Sequence, residues 1–172
     1  FIMAYTGLNR HLSQNIGLAS SKDLFEWRRW NCNPISPCKN AAWAYWRHDD
    51  ICSCRDPDLV RNRGRIYMPY TANTREGATC IALASTTDFR QWKDHGPIIM
   101  GPASGYEPHL NGGHPQASFE SPNLSFRNGR WFLVFHAAIR GKGRATWAAA
   151  SHRMDSFDTN KLWEFWSEGI CT

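Results

Sequence analysis

Apolar residues fall into short runs separated by glycine, proline and polar turns, without a sustained helical period. Residues 66–71 (Ile-Tyr-Met-Pro-Tyr-Thr) and 131–136 (Trp-Phe-Leu-Val-Phe-His) form aromatic-rich runs, and residues 80–85 and 146–151 form runs of smaller apolar residues. Such residues fit the pleated, half-buried surface of a strand. A polar turn precedes each aromatic run, Arg61-Asn-Arg-Gly64 in one case and Arg127-Asn-Gly129 in the other. Before each turn lies a short apolar stretch around Leu59 or Leu124, introduced by a proline. A segment of the form Asp-aromatic-x-x-Trp, such as Thr87-Asp-Phe-Arg-Gln-Trp92, closes the unit. The pattern predicts strands joined by hairpins, with one helix near 159–167.

The unit repeats. Residues 1–6 (Phe-Ile-Met-Ala-Tyr-Thr) match residues 66–71, which lie 65 residues further on. The same shift pairs Ile16-Gly-Leu-Ala-Ser20 with Ile81-Ala-Leu-Ala-Ser85, Asp23 with Asp88 and Trp27 with Trp92. Ten of the first 28 positions are identical at this shift, where chance would give about two, so the similarity marks a structural repeat. In a third copy, Asp56-Pro-Asp-Leu59 aligns with Ser121-Pro-Asn-Leu124 and Gly64-Arg65 with Gly129-Arg130. Short hairpin-linked strands repeated at this length fit the four-stranded blade of a β-propeller, whose faces must be covered by neighbouring blades. The expected fold is therefore all-β, a β-propeller of four-stranded antiparallel blades. Residues 1–50 form the end of one blade and a linking loop, 51–115 a second blade and 116–172 a third. Trp27 and Trp92 are expected in the blade core.

Composition narrows the function. Nine Trp, nine Phe and five Tyr in 172 residues suit a β-rich core or stacking on sugar rings. The net charge of +5 is spread among interspersed acids, with no basic tail or helix, so no nucleic-acid partner is expected. No apolar stretch approaches the roughly 20 residues of a membrane span, no signal peptide is visible in the sequence, and Phe1 reads as a cut end. Cysteines at 32, 38, 52, 54, 80 and 171 lack the spacing of a zinc site and are expected as buried thiols, although secretion would allow a Cys32–Cys38 disulfide.

Two motifs at equivalent places in successive repeats carry the chemistry. Cys54-Arg-Asp-Pro-Asp-Leu-Val60 resembles the Arg-Asp-Pro motif of the fructan-acting glycoside hydrolases of families 32 and 68, and Phe119-Glu-Ser-Pro122 resembles their Glu-Cys-Pro motif, with Ser121 in the Cys place. Ala4-Tyr-Thr-Gly7 is similar to their Tyr-Thr-Gly/Ser segment, and Ser21-Lys-Asp-Leu-Phe-Glu-Trp27 to a blade ending shared with family 43 arabinanases. The resemblance covers nearly the whole chain and implies a five-bladed propeller of the arabinanase/levansucrase/invertase type, incomplete here. It further implies that Asp56 stabilises the transition state and that Glu120 is the general acid/base. These roles suit glycoside cleavage, which needs a proton at the leaving oxygen and negative charge beside an oxocarbenium-like sugar. Strands that start blades line the propeller axis, which would bring Asp56 and Glu120 together, with Phe119 and Pro122 excluding water around Glu120. The family's nucleophile or base sits on an Asp-Pro motif in an earlier blade; nothing before Asp56 matches it, and Asp49-Asp50 lies in the wrong loop.

Further candidates for sugar contact are Arg55, the loop residues Trp43, Trp46 and His48, His114 in the Gly/Pro-rich loop before Glu120, and His136 where the other copies hold Thr6 and Thr71. The spacing of His109 and His114 specifies no metal site. Neither metal nor cofactor is expected. The expected partner is an oligosaccharide or polysaccharide substrate, with self-association through open blade edges as a second consequence of an incomplete ring. Rival readings are a carbohydrate-binding propeller without catalysis and a mannoside phosphorylase-like enzyme.

Overall fold

The computed structural model describes residues 1–50, 52–100, 117–139 and 143–166. Three antiparallel sheets follow one another along the chain. The first has the order β1 (Ile2–Leu8), β2 (Gln14–Ser20), β3 (Arg28–Arg29). The second runs outward from β6 (Arg65–Asn73) through β7 (Thr79–Thr86) to β8 (Lys93–Met100). Its inner edge is divided between β4 (Cys54–Arg55) and β5 (Val60–Asn62), both paired with β6. The third has the order β9 (Ala117–Arg127), β10 (Arg130–Ile139), β11 (Gly143–Ser151), β12 (Trp163–Trp166).

The hairpins obey the turn chemistry of their residues. Arg63-Gly64 and Asn128-Gly129 all have positive φ, and each pair bridges adjacent strands as a two-residue loop. Two successive left-handed residues match the right-handed strand twist, and glycine adopts that conformation without steric penalty.

Adjacent sheets pack in chain order, β4 against β1 and β2, and β9 against β6 and β7. Side-chain alternation sends Met68, Tyr70, Ala82 and Ala84 toward Ile16 and Leu18 of the first sheet. On the other face, Ile81 and Leu83 meet Phe119, Leu133, Phe135 and Trp147 of the third. Strand β7 is buried along its whole length. Being covered on both faces explains why it reads as a continuous apolar run instead of an alternating one. Each fully buried side chain of this size contributes about 1.5–3 kcal/mol.

The blade endings share one local design. Ser21 Oγ accepts from the backbone N–H groups of Asp23 and Leu24, and Asp23 Oδ1 from those of Phe25 and Glu26. Thr86 and Asp88 repeat this arrangement with Asp88, Phe89, Arg90 and Gln91. These bonds hold both aspartates below the usual carboxylate range. The third copy keeps only the hydroxyl cap, Ser151 Oγ accepting from Arg153 N–H.

Three expectations need correction. Residues 159–166, the described part of the expected helix, do not form an α-helix. Asp158 caps a single 3-10 turn over Thr159–Lys161, after which the β-favouring Trp163–Trp166 segment pairs with β11. Trp27 stays outside the buried clusters, whereas Trp92 is half-buried and packs against the core; each indole N–H donates to a carbonyl of its own turn, Leu24 and Phe89 respectively. Cys32 and Cys38 are free thiols, the first exposed and the second buried. Cys52, Cys54 and Cys80 are buried thiols too, as the sequence suggested.

Candidate active site

The site forms where the inner strands break. In the second blade the chain leaves the ladder between β4 and β5, at Asp56-Pro57. In the third, the β9–β10 register shifts between the Asn123–Val134 and Glu120–His136 pairs, at Ser121-Pro122. Asp56 and Ser121 adopt nearly the same left-handed conformation, with φ of 53° and 54°. This conformation is uncommon outside glycine, and Asp tolerates it better than most residues. A shared break in the ladder turns the residues around it toward the seam between blades.

Arg55 is the hub of that seam. Its Nε lies 3.2 Å from Asp56 Oδ2, its Nη1 donates to Gln14 Oε1 at 2.8 Å and Ser53 Oγ at 3.2 Å, and its Nη2 donates to Glu120 Oε2 at 2.9 Å. One guanidinium thus joins the first, second and third blades, using the fork of donors that only arginine provides. The Arg55 and Glu120 side chains are each 22% exposed, so the pair is set into the surface but still open to a ligand. Strand alternation places Cys54, next to Arg55, in the core. There burial and a hydrogen bond with Cys38, the larger effect, push its thiol pKa well up.

Asp56 is held from several sides. Its Oδ2 also accepts from Thr71 Oγ1 at 3.1 Å and from the Ser121 backbone N–H at 3.2 Å, while its own N–H donates to Thr6 Oγ1 at 2.9 Å. Thr6 and Thr71 occupy equivalent repeat positions. His136, third in that series, is the Cα partner of Glu120, and its Nδ1 is buried without a hydrogen-bond partner. Below this level, Asp58 Oδ2 accepts from Asn123 Nδ2 and the Leu124 N–H.

The structure therefore brings Arg55, Asp56, Glu120 and His136 to one seam. It does not use Phe119 to shield Glu120, because alternation along β9 puts that ring in the core, 4.9 Å from Phe135. The loop candidates are anchored elsewhere. Trp43 Nε1 donates to Asp94 Oδ2 on β8 at 2.8 Å. Trp46 Nε1 donates to Asn15 Oδ1, with Lys39 5.7 Å over its ring. His48 is exposed, takes a hydrogen bond from Asn9 to its carbonyl and helps line a cavity of about 380 Å³ with Tyr5, Asn15, Trp30 and Asn33. His114, with His109, lies outside the described residues. Among the described residues no cluster of His, Cys, Asp or Glu is arranged to hold a metal ion.

Sequence reasoning missed Gln14 and Ser53. It also gave Thr6 and Thr71 no role, although their identity across the repeat was a usable signal.

No protein-family model matches the sequence, and no curated protein matches it. Solved structures do match. The chain superposes on a Bombyx mori GH32 beta-fructofuranosidase with a TM-score of 0.62 at 15% identity, covering 95% of this chain and 34% of that one. For Bacillus subtilis levansucrase the values are 0.62, 14%, 91% and 49%. For Lactobacillus gasseri sucrose-6-phosphate hydrolase they are 0.63, 16%, 94% and 31%. The chain shares the β-propeller fold of these structures. It spans about a third to a half of the length of these structures, so the propeller is represented here by consecutive blades and not by a whole ring.

Proposed function

We propose that these blades carry part of the active site of a glycoside hydrolase that cleaves a fructoside, an arabinoside or a related glycan. The supporting observation is the convergence of Asp56 and Glu120 on Arg55 at the seam between blades. In this reading Asp56 binds sugar hydroxyls and stabilises positive charge on the ring in the transition state. Four groups hold the residue in place. Glu120 protonates the leaving oxygen and, if the reaction is retaining, then activates water. Glu120 Oε2 lies 2.9 Å from Arg55 Nη2, so that contact must give way to the leaving oxygen when substrate binds. His136 stands opposite Glu120 on the neighbouring strand and would help to shape the sugar site. A reaction of this type also needs a nucleophile or base on the opposite side of the sugar, which the family resemblance assigns to an earlier blade. The activity proposed is accordingly that of the whole protein.

The test is an assay against fructosides, arabinosides, xylosides and mannosides, run beside Glu120→Gln and Asp56→Asn. Loss of about 10²–10⁴-fold in turnover for Glu120→Gln is expected of a general acid/base. Folded protein that binds sugars and turns none over would instead favour a binding propeller. The anomer released first, followed by NMR, separates retention from inversion.

A further inference from the structure

We propose that Gln14 is a positioning residue, which acts on the site only through Arg55. The geometry is specific. Gln14 begins β2 in the first blade, and its backbone N–H donates to the Cys52 carbonyl at 3.0 Å, tying it to the segment that leads into β4. Its Oε1 then accepts twice, from Arg55 Nη1 at 2.8 Å and from Ser53 Oγ at 3.2 Å. Ser53 is fixed in turn by its N–H donating to Asn73 Oδ1 at 3.0 Å. The guanidinium has two jobs on its other nitrogens, one on each carboxylate. A flat fork held at one end by a neutral acceptor keeps one orientation, and a neutral acceptor does so without competing with the carboxylates for the positive charge. Without Gln14, Nη1 keeps only the Ser53 hydroxyl, and the long side chain regains rotamers that ordering had removed.

Its consequence for turnover rests on the hydrolase reading above, but the orientation of Arg55 is testable without any activity. The experiment compares wild type with Gln14→Met, which keeps the length and removes the acceptor, and Gln14→Glu, which restores it. ¹⁵N relaxation of the Arg55 Nε–H, read in the whole protein, should report a rigid group in wild type and Gln14→Glu and nanosecond motion in Gln14→Met. If Gln14→Met does not fold, Ser53→Ala removes the other acceptor of the same nitrogen and should loosen it in the same direction. With an active substrate, Gln14→Met should lower kcat by up to about 10²-fold and leave KM little changed. Equal Arg55 order in wild type and Gln14→Met overturns the proposal. So does a rise in KM alone, which would make Gln14 a direct sugar ligand. Absence of turnover in wild type would count against the hydrolase reading, while the relaxation data would still decide the role of Gln14.

Discussion

Arg55 and Glu120 are the same position of the repeat, 65 residues apart, and they bond to each other. The relation extends down the seam: Ser121 donates its N–H to Asp56, and Asn123 its amide to Asp58, each pair again separated by one repeat. Neighbouring blades therefore meet through their own equivalents.

A double-mutant cycle on Arg55→Met and Glu120→Gln should show this coupling in urea unfolding. Both groups are mostly shielded from water, and residues in direct contact typically give interaction energies of about 0.5–3 kcal/mol. Additive single effects would mean that the pair contributes nothing to the seam.

Asp88 should stabilise the fold in a pH-dependent way. Its carboxyl is held below the usual range by the Gln91 and Arg90 N–H groups, the largest causes. A carboxyl depressed in the folded state contributes stability above the unfolded value and loses it as pH falls through the folded value. The urea midpoint of Asp88→Ala should lie below wild type at neutral pH, and the two should converge in acid. A gap that persists at pH 2 would point to packing instead of charge.

The thiols should divide sharply. Burial raises the pKa of Cys80, and contact with Cys38 together with burial raises that of Cys54, so neither presents a thiolate near neutrality. A brief alkylation of native protein, read by peptide mass, should label Cys32 and spare Cys38, Cys52, Cys54 and Cys80. Labelling of all five before unfolding would contradict the buried cluster.

Tyr45 should titrate late. Burial first, and then its 2.6 Å bond to Asp50, push its phenol up to about 12. Difference absorbance at 295 nm should lose that late component in Tyr45→Phe.

Phe135 is packed between the second and third sheets with Phe119, Leu133 and Trp147, 1% exposed. Phe135→Ala should cost about 3–5 kcal/mol, measured by chemical unfolding, while truncation of the exposed Phe25 should have little effect.

Repetition made most of the architecture legible from the sequence. Ser21 and Thr86, Trp27 and Trp92, and the two glycine hairpins recur because each solves the same local problem in each blade. The meeting of Glu120 and Asp56 at one seam was legible from their phase in the repeat. Gln14 was not, because it acts through a contact 41 residues away that no local pattern encodes. The aromatic loop was legible only as composition. Trp43 and Trp46 have the composition of a sugar platform, but each indole N–H found an acceptor within the protein, and only tertiary structure decides which partner it takes. Phe119 misled through alternation, since neighbours in a strand face opposite ways.

The seam also limits how regular these blades can be. A strictly faithful copy of residues 55–58 would set arginine against arginine and aspartate against aspartate, and like charges that close repel. Bonds across this seam can form only where successive copies disagree. The third copy carries Glu120, Ser121 and Asn123 against Arg55, Asp56 and Asp58, which turns each clash into a bond. Averaging the blades into a consensus would preserve their cores and hairpins and would erase the chemistry between them. Divergence at the axis is in this sense the structural requirement, and sameness is tolerable only away from it.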